Sequence, residues 1–291
     1  MLKVSLFVIL AALLPLALAA PAQSEEMVLT PGGLRPKSSV IQIPEGGSIN
    51  LTDTEVHLLD ASKRVIHVSP RSDAKVRASP VTNATVPEQS GWISFAYWRR
   101  INFPIQNFFT TWVVPPTPAT NHGQTIFLFN GLEPDTGDSI LQPVLQWGPS
   151  VGGGGPFWQF ATWYVAGATS FFTPLLDVSV GQSLQGIIQF TRKNADGTFN
   201  YVSEFAGSSG VALSNSPELT WAYETLEAYS VTTASDYPTG CTPFFGISIS
   251  TVDGATAPVS WGITNDDFDG VHTYINVNGG SNGQVTTCYP L

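Results

Sequence analysis

From Trp92 onward the chain is written in short apolar, aromatic and β-branched runs separated by Gly, Pro and Asn. The runs 110–114, 125–129, 140–147, 158–165, 184–190, 199–205, 221–229 and 244–250 have strand length, and none keeps a helical period between capping residues. The pattern predicts an all-β domain, an antiparallel sandwich of two sheets. Asp196-Gly197 predicts a tight hairpin turn between two of the runs. Four glycines, 152–155, are too permissive for a strand and predict a mobile loop beside one.

The first part of the chain is different. Lys3, an apolar run over 4–18 and small residues at Ala17 and Ala19 match a cleaved signal peptide, with Pro21 where a membrane anchor would carry a basic flank. Residues 21–40 are rich in Pro, Gly and Ser and predict loop. The runs 55–59 and 64–68 around Asp60-Ala61-Ser62-Lys63 predict a hairpin, and residues 69–90 a polar linker. The expected division is signal peptide 1–19, N-terminal segment 20–88 and sandwich 89–291. No later stretch is long and apolar enough to span a bilayer, so a secreted, soluble, extracellular monomer is expected. In that compartment the two cysteines, Cys241 and Cys288, are expected to pair. Asn50-Leu51-Thr52 and Asn83-Ala84-Thr85 are glycosylation acceptors.

Charge sharpens the division. Through residue 100 there are 10 Lys+Arg and 8 Asp+Glu, net +2; beyond it there are 2 and 14, net −12, giving −10 in all. Such a domain repels nucleic acid and anionic lipid. It has few ion pairs to lose in acid and gains little positive self-repulsion there, so the composition suits low pH.

Elimination narrows the chemistry. His122 and His272 lack partners at zinc or Ser-His-Asp spacing, so no metal or cofactor is expected. The acidic run Asp266-Asp267-Phe268-Asp269-Gly270 reads more readily as a solvated loop than as a calcium site. Carboxylates and amides remain. Strand alternation puts Gln142, Val144 and Gln146 on one face; it groups Tyr223, Thr225, Glu227 and Tyr229, with Glu224 opposite. A Glu between tyrosines is partly desolvated, which raises its pKa and lets it carry a proton in mild acid.

At these residues the sequence resembles the fungal glutamic peptidases, or eqolisins. The similarity runs in order through Trp92, Thr111-Trp112-Val113-Val114-Pro115, Asn130-Gly131-Leu132, Ser139-Ile140-Leu141-Gln142, Phe160-Ala161-Thr162-Trp163-Tyr164, Val180-Gly181-Gln182-Ser183-Leu184 and Leu226-Glu227-Ala228-Tyr229. It implies a secreted acid endopeptidase with a concanavalin- or jelly-roll-like sandwich, acting on polypeptides without a metal. It further implies Glu227 as general base and Gln142 as oxyanion donor, with Gln146, Trp163 and Tyr229 as additional candidates. Three features depart from the family pattern: Pro143 follows Gln142, Gln159 and Thr162 stand where acidic residues are usual, and the cysteines lie elsewhere. The resemblance also implies that residues 20–88 are a basic pro-segment, docked by opposite charge and released as carboxylates protonate. The competing readings are a carbohydrate-binding or polysaccharide-degrading sandwich, whose second carboxylate would be Glu204, an inactive peptidase relative, and a secreted structural protein.

Overall fold

A computed structural model describes residues 25–71, 89–265 and 270–290. The expected signal peptide, Asn83, most of the 69–90 linker and Asp266–Asp269 lie outside the described residues. The N-terminal segment contributes β1 (Met27–Thr30), β2 (Gly33–Pro36), β3 (Val40–Gln42), β4 (Ser48–Leu51), β5 (Glu55–Leu59) and β6 (Val65–Pro70). After it come β7 (Gln89–Arg99), β8 (Ile105–Val113), β9 (Thr125–Pro134), β10 (Ser139–Trp147), β11 (Trp158–Ala166), β12 (Thr169–Phe172), β13 (Leu176–Asp177) and β14 (Ser183–Lys193). The chain continues through β15 (Phe199–Phe205), β16 (Val211–Ser216), β17 (Leu219–Val231), β18 (Cys241–Thr251), β19 (Gly262–Asn265), β20 (His272–Val277) and β21 (Gly283–Cys288). Among the described residues the only helical pieces are two short 3-10 turns, Lys37–Ser39 and Ala234–Asp236. No helix there is long and apolar enough to cross a membrane.

The strands form two large sheets. The first runs β19-β7-β17-β9-β10-β11-β12-β3, with β13 beside β11; the second runs β20-β21-β18-β8-β14-β15-β16-β4-β5-β6. Between them lies a core of Phe108, Trp112, Leu128, Leu145, Trp158 and Leu226, among others. Alternation supplies one inward side chain every second residue, and aromatic residues fill the gap between the sheets. The first sheet is covered on its other face as well. There Trp92, Phe127, Phe129, Val144, Trp163 and Tyr223 form a second apolar cluster, and β9 and β10 are buried along their whole length.

Three expectations change. Residues 21–40 are not all loop: β1 and β2 pair as a hairpin closed by the turn Thr30-Pro31-Gly32-Gly33. The sheets are not wholly antiparallel, because β3 joins β12 and β4 joins β16 in parallel register. The N-terminal segment is also more than the β5–β6 hairpin, since it extends both large sheets at once. Ile43, Ile49, Leu51, Val56 and Leu58 enter the central core, each 3% exposed or less.

Charge is not what holds that segment. Residues 20–88 carry seven Lys+Arg (Arg35, Lys37, Lys63, Arg64, Arg71, Lys75, Arg77) against eight Asp+Glu, a net of −1. Its described ion pairs are internal: Lys37 with Glu26, His57 with Glu55, Arg64 with Asp60. The basic excess read from the first 100 residues comes from Lys3, Arg99 and Arg100. Strand addition and apolar burial fix the segment instead.

Pro143 has the consequence its chemistry demands. The ladder between β10 and β9 is interrupted between Leu141 and Val144, while the pairing with β11 is continuous. At the other end of the molecule Cys241 and Cys288 form a disulfide between β18 and β21, across a sequence separation of 47. Closing a loop of that size limits the unfolded chain by about 4 kcal/mol in the chain-entropy estimate. The double substitution Cys241→Ser, Cys288→Ser is expected to lower the midpoint of thermal unfolding by several degrees; an unchanged midpoint in calorimetry would refute that contribution.

Candidate functional site

The outer face of the first sheet carries the candidate residues, and the strand register decides which of them meet. Gln146 pairs with Phe127 on β9, and Phe127 pairs with Glu227 on β17. Gln146 and Glu227 thus lie in one row, two strand spacings or about 10 Å apart at the backbone, with Phe127 as floor between them. Gln142 shares the face but pairs with Trp163, four residues from Gln146 along β10. That is about 13 Å along the strand, too far for its amide to serve an atom held at Glu227. Trp163 is fully buried and stacks on Phe172 at 4.8 Å, as part of the apolar floor.

Glu227 is 0% exposed. Its Oε1 accepts a hydrogen bond from the Tyr229 hydroxyl and another, 2.7 Å, from the backbone N–H of Gly32. Tyr229 follows two residues later on β17 and therefore points to the same side. Burial pushes the Glu227 pKa up to about 7, against the opposing pull of the Tyr229 and Gly32 hydrogen bonds and of the Arg35 charge. The desolvation expected from the flanking tyrosines is present, and the N-terminal hairpin brings further groups to the same carboxylate. Gly32 reaches it because the turn sits at φ +88, a conformation glycine adopts freely.

The hairpin tip is an insertion. Thr30, Pro31, Gly32 and Gly33 are all buried, whereas the tip of a surface hairpin faces water. Leu29 packs against the outer apolar cluster, and its carbonyl accepts from the Val151 N–H at 3.2 Å. The glycine loop is tied on its other side to Gln146, whose Nε2 donates to Gly148 O at 2.8 Å and to Gly153 O at 3.4 Å. A Cβ on Gly154 would stand 2.6 Å from that Nε2 and 2.3 Å from Gly148 O, so only glycine allows the loop this close. A cleft of about 440 Å³ lies alongside, with Met27, Val28 and Leu29 on one side and Thr125, Pro149 and Tyr229 on the other.

No family model matches the sequence, and no curated protein is similar to it. Among solved structures, scytalido-glutamic peptidase with a peptide-based transition-state analog is similar over 70% of this chain and 100% of that one, at 19% identity and a TM-score of 0.47. SCP-B, an eqolisin-family peptidase in complex with the tripeptide Ala-Ile-His, covers the same shares at 17% identity and a TM-score of 0.43. Likeness at this level assigns no roles to residues of this chain.

The other carboxylates are badly placed for joint work with Glu227. Glu224 faces the inter-sheet core, where Thr110 donates to it and burial raises its pKa well above the ordinary value. Glu204 belongs to β15, in the opposite sheet. Glu133 shares the outer face but lies six residues along β9 from Phe127, about 20 Å away. Glycoside hydrolysis with a paired acid and base requires carboxyl groups roughly 5–10 Å apart. Among the described residues no group of three or more His, Cys, Asp or Glu is placed to hold a metal. Asn50, an expected glycosylation site, is half-buried in β4, and its Oδ1 accepts from Asn215 Nδ2 at 2.7 Å.

Proposed function

We infer that the chain is a secreted acid endopeptidase of glutamic type in a closed state. One observation carries the reading: a fully buried Glu227, its pKa raised to about 7, shares a row and a face with the Gln146 amide. Once the hairpin tip lifts and water reaches the carboxyl, its pKa falls back toward the ordinary carboxylate range; Glu227 as base then takes a proton from water as the water oxygen bonds to a peptide carbonyl carbon, and hands that proton to the departing nitrogen. Gln146 supplies an N–H to the oxyanion once its amide turns from the glycine-loop carbonyls. Tyr229 holds the carboxylate in place through its hydrogen bond to Oε1. The ordered resemblance in the sequence supports the same assignment of Glu227; it points to Gln142 for the amide, whereas the strand register favours Gln146.

The test is hydrolysis of casein by the secreted chain at about pH 4. Gln146→Ala is expected to lower kcat by roughly 10²- to 10³-fold, the usual loss for one oxyanion donor. Gln142→Ala is expected to stay within a few-fold of wild type. The reverse order of the two would move the site two pleat repeats along β10, and no hydrolysis by wild type would end the reading.

A further inference from the structure

A second cleft, of about 360 Å³, lies where the N-terminal segment meets the second sheet. Thr52, Asp53 and Arg71 line it from the segment; Asp196, Thr198 and Asn215 line it from the β14–β15 turn and β16. None of them belongs to the row of Glu227. An amide network sets the cleft in advance. Asn194 Nδ2 donates to Thr198 Oγ1 at 2.9 Å, to Asn200 Oδ1 at 2.9 Å and to Asn215 Oδ1 at 2.8 Å. Asn200 Oδ1 also accepts from the Asn215 backbone N–H at 3.0 Å, which holds Asn215 at φ +57, a left-handed conformation that asparagine tolerates better than most residues. Asn215 Nδ2 then donates to Asn50 Oδ1 at 2.7 Å.

That last bond occupies one atom of the Asn50 amide and leaves the other. Asn50 stands between Ile49 and Leu51, both in the central core, so alternation turns its side chain to the outer face of the second sheet. Among the described residues its Nδ2 has no acceptor, and it is not one of the enclosed atoms without a partner, so it faces solvent. The cleft begins beside it, at Thr52 two residues on and at the Asn215 side chain that holds it.

We propose that Asn50 Nδ2 carries an N-linked glycan whose first N-acetylhexosamine is seated in this cleft, clamping the N-terminal segment to β16. Asn50-Leu51-Thr52 is the required acceptor sequence. In the transfer Nδ2 bonds to the anomeric carbon of the sugar, the bond from that carbon to a lipid-linked diphosphate breaks, and one amide proton is lost to the transferring enzyme. The bond from Asn215 survives, because the modified amide keeps Oδ1 as an acceptor. The cleft has the volume of a small-ligand site. Its polar groups match a polyhydroxyl ring: Asp53, which makes no hydrogen bond among the described residues, and Asp196 accept from hydroxyls, while Arg71 donates. Pro217 adds an apolar edge.

The experiment uses the full chain with its own leader, in an Asn83→Gln background, made by a eukaryotic host and recovered from the medium. Peptide mapping by mass spectrometry is expected to find hexosamine on Asn50, to find it again in Thr52→Ser, and to find none in Thr52→Val. A peptide N-glycosidase is expected to release the glycan at least about 10-fold more slowly from the folded chain than from the denatured one. Asp53→Ala is expected to speed release from the folded chain severalfold, the scale of one lost hydrogen bond, with the denatured rate unchanged. Trimming to the first sugar is expected to leave the midpoint of thermal unfolding where it was, and secretion with synthesis of the lipid-linked donor blocked to lower it by several degrees. An unmodified Asn50, or a chain that never enters the medium, overturns the proposal. Release from folded Asp53→Ala at the wild-type rate overturns the seat in the cleft.

Discussion

Replacing Glu227 with Gln is expected to remove casein hydrolysis by about 10²- to 10⁴-fold and, at the same time, to make the intact chain harder to unfold at pH 8. The two effects share one cause. Glu227 is completely buried, and its pKa stands near 7 against an ordinary 4.5. Below about pH 4.5 the folded and unfolded chains both hold the proton, and the residue has no net effect. As pH rises through the window from 4.5 to 7 the unfolded chain sheds its proton first, so stability declines. Above 7 the decline is complete, and the gap between the two values corresponds to about 3 kcal/mol. Gln carries no such charge. The variant should therefore melt several degrees above wild type at pH 8 and close to it at pH 4. A midpoint lowered at pH 8, or raised equally at both pH values, would contradict the buried ionisable state. Glu224, also buried and also raised, adds to the same trend and gives wild type its best stability on the acidic side.

Deleting residues 20–88 is expected to yield no folded sandwich. The deletion uncovers the core surface now packed by Ile43, Ile49, Leu51, Val56 and Leu58. At about 2 kcal/mol for each fully buried aliphatic side chain, the loss approaches 10 kcal/mol, comparable to the whole stability of a typical domain. It also leaves the β12 and β16 edges without their parallel partners. Deleting only residues 20–31 removes β1 and the turn residue Pro31 but none of these core side chains. That shorter deletion should be recovered folded and should melt cooperatively near wild type. Size-exclusion chromatography and calorimetry of the two products separate the cases; a monomeric, cooperatively melting 89–291 fragment would show the segment to be an accessory.

Much of the sandwich was legible because its strands write their own period. Phe199, Tyr201 and Phe205 fall on one side of the run, with only Ser203 interrupting that apolar face, and β15 has those same limits. The run 140–147 reads as a strand although it is buried on both sides, because it has strand length and is set off from its neighbours by turn residues. Strand parity groups Gln142 with Gln146 on one strand and Glu227 with Tyr229 on another; that the two groups share a face follows only from the sheet pairing. The choice between the two glutamines depends on how β10 and β17 register against β9, and nothing local encodes that offset. The tip Pro31-Gly32 announces a turn, but its target lies 195 residues away in sequence. Arg35 was counted as part of a positive leader; its relevant property is its position near Glu227 and Tyr229. β3, only three residues long, has too little length to display any period.

The attachment of β3 and β4 has a consequence in time. Val40–Gln42 waits for Ser170–Phe172, and Ile49 waits for Leu213, so β3 and β4 close contacts with partners made about 130 to 165 residues later. Contacts this distant in sequence slow folding, because the chain must close large loops before they return any stabilisation. The sheets cannot be completed while the chain is still emerging. Until β16 arrives, Ile49 and Leu51 remain uncovered apolar residues on a strand paired only with β5, which makes the nascent chain a client for chaperones. The rate at which folded protein appears, rather than its final stability, is where changes in residues 40–51 should register first.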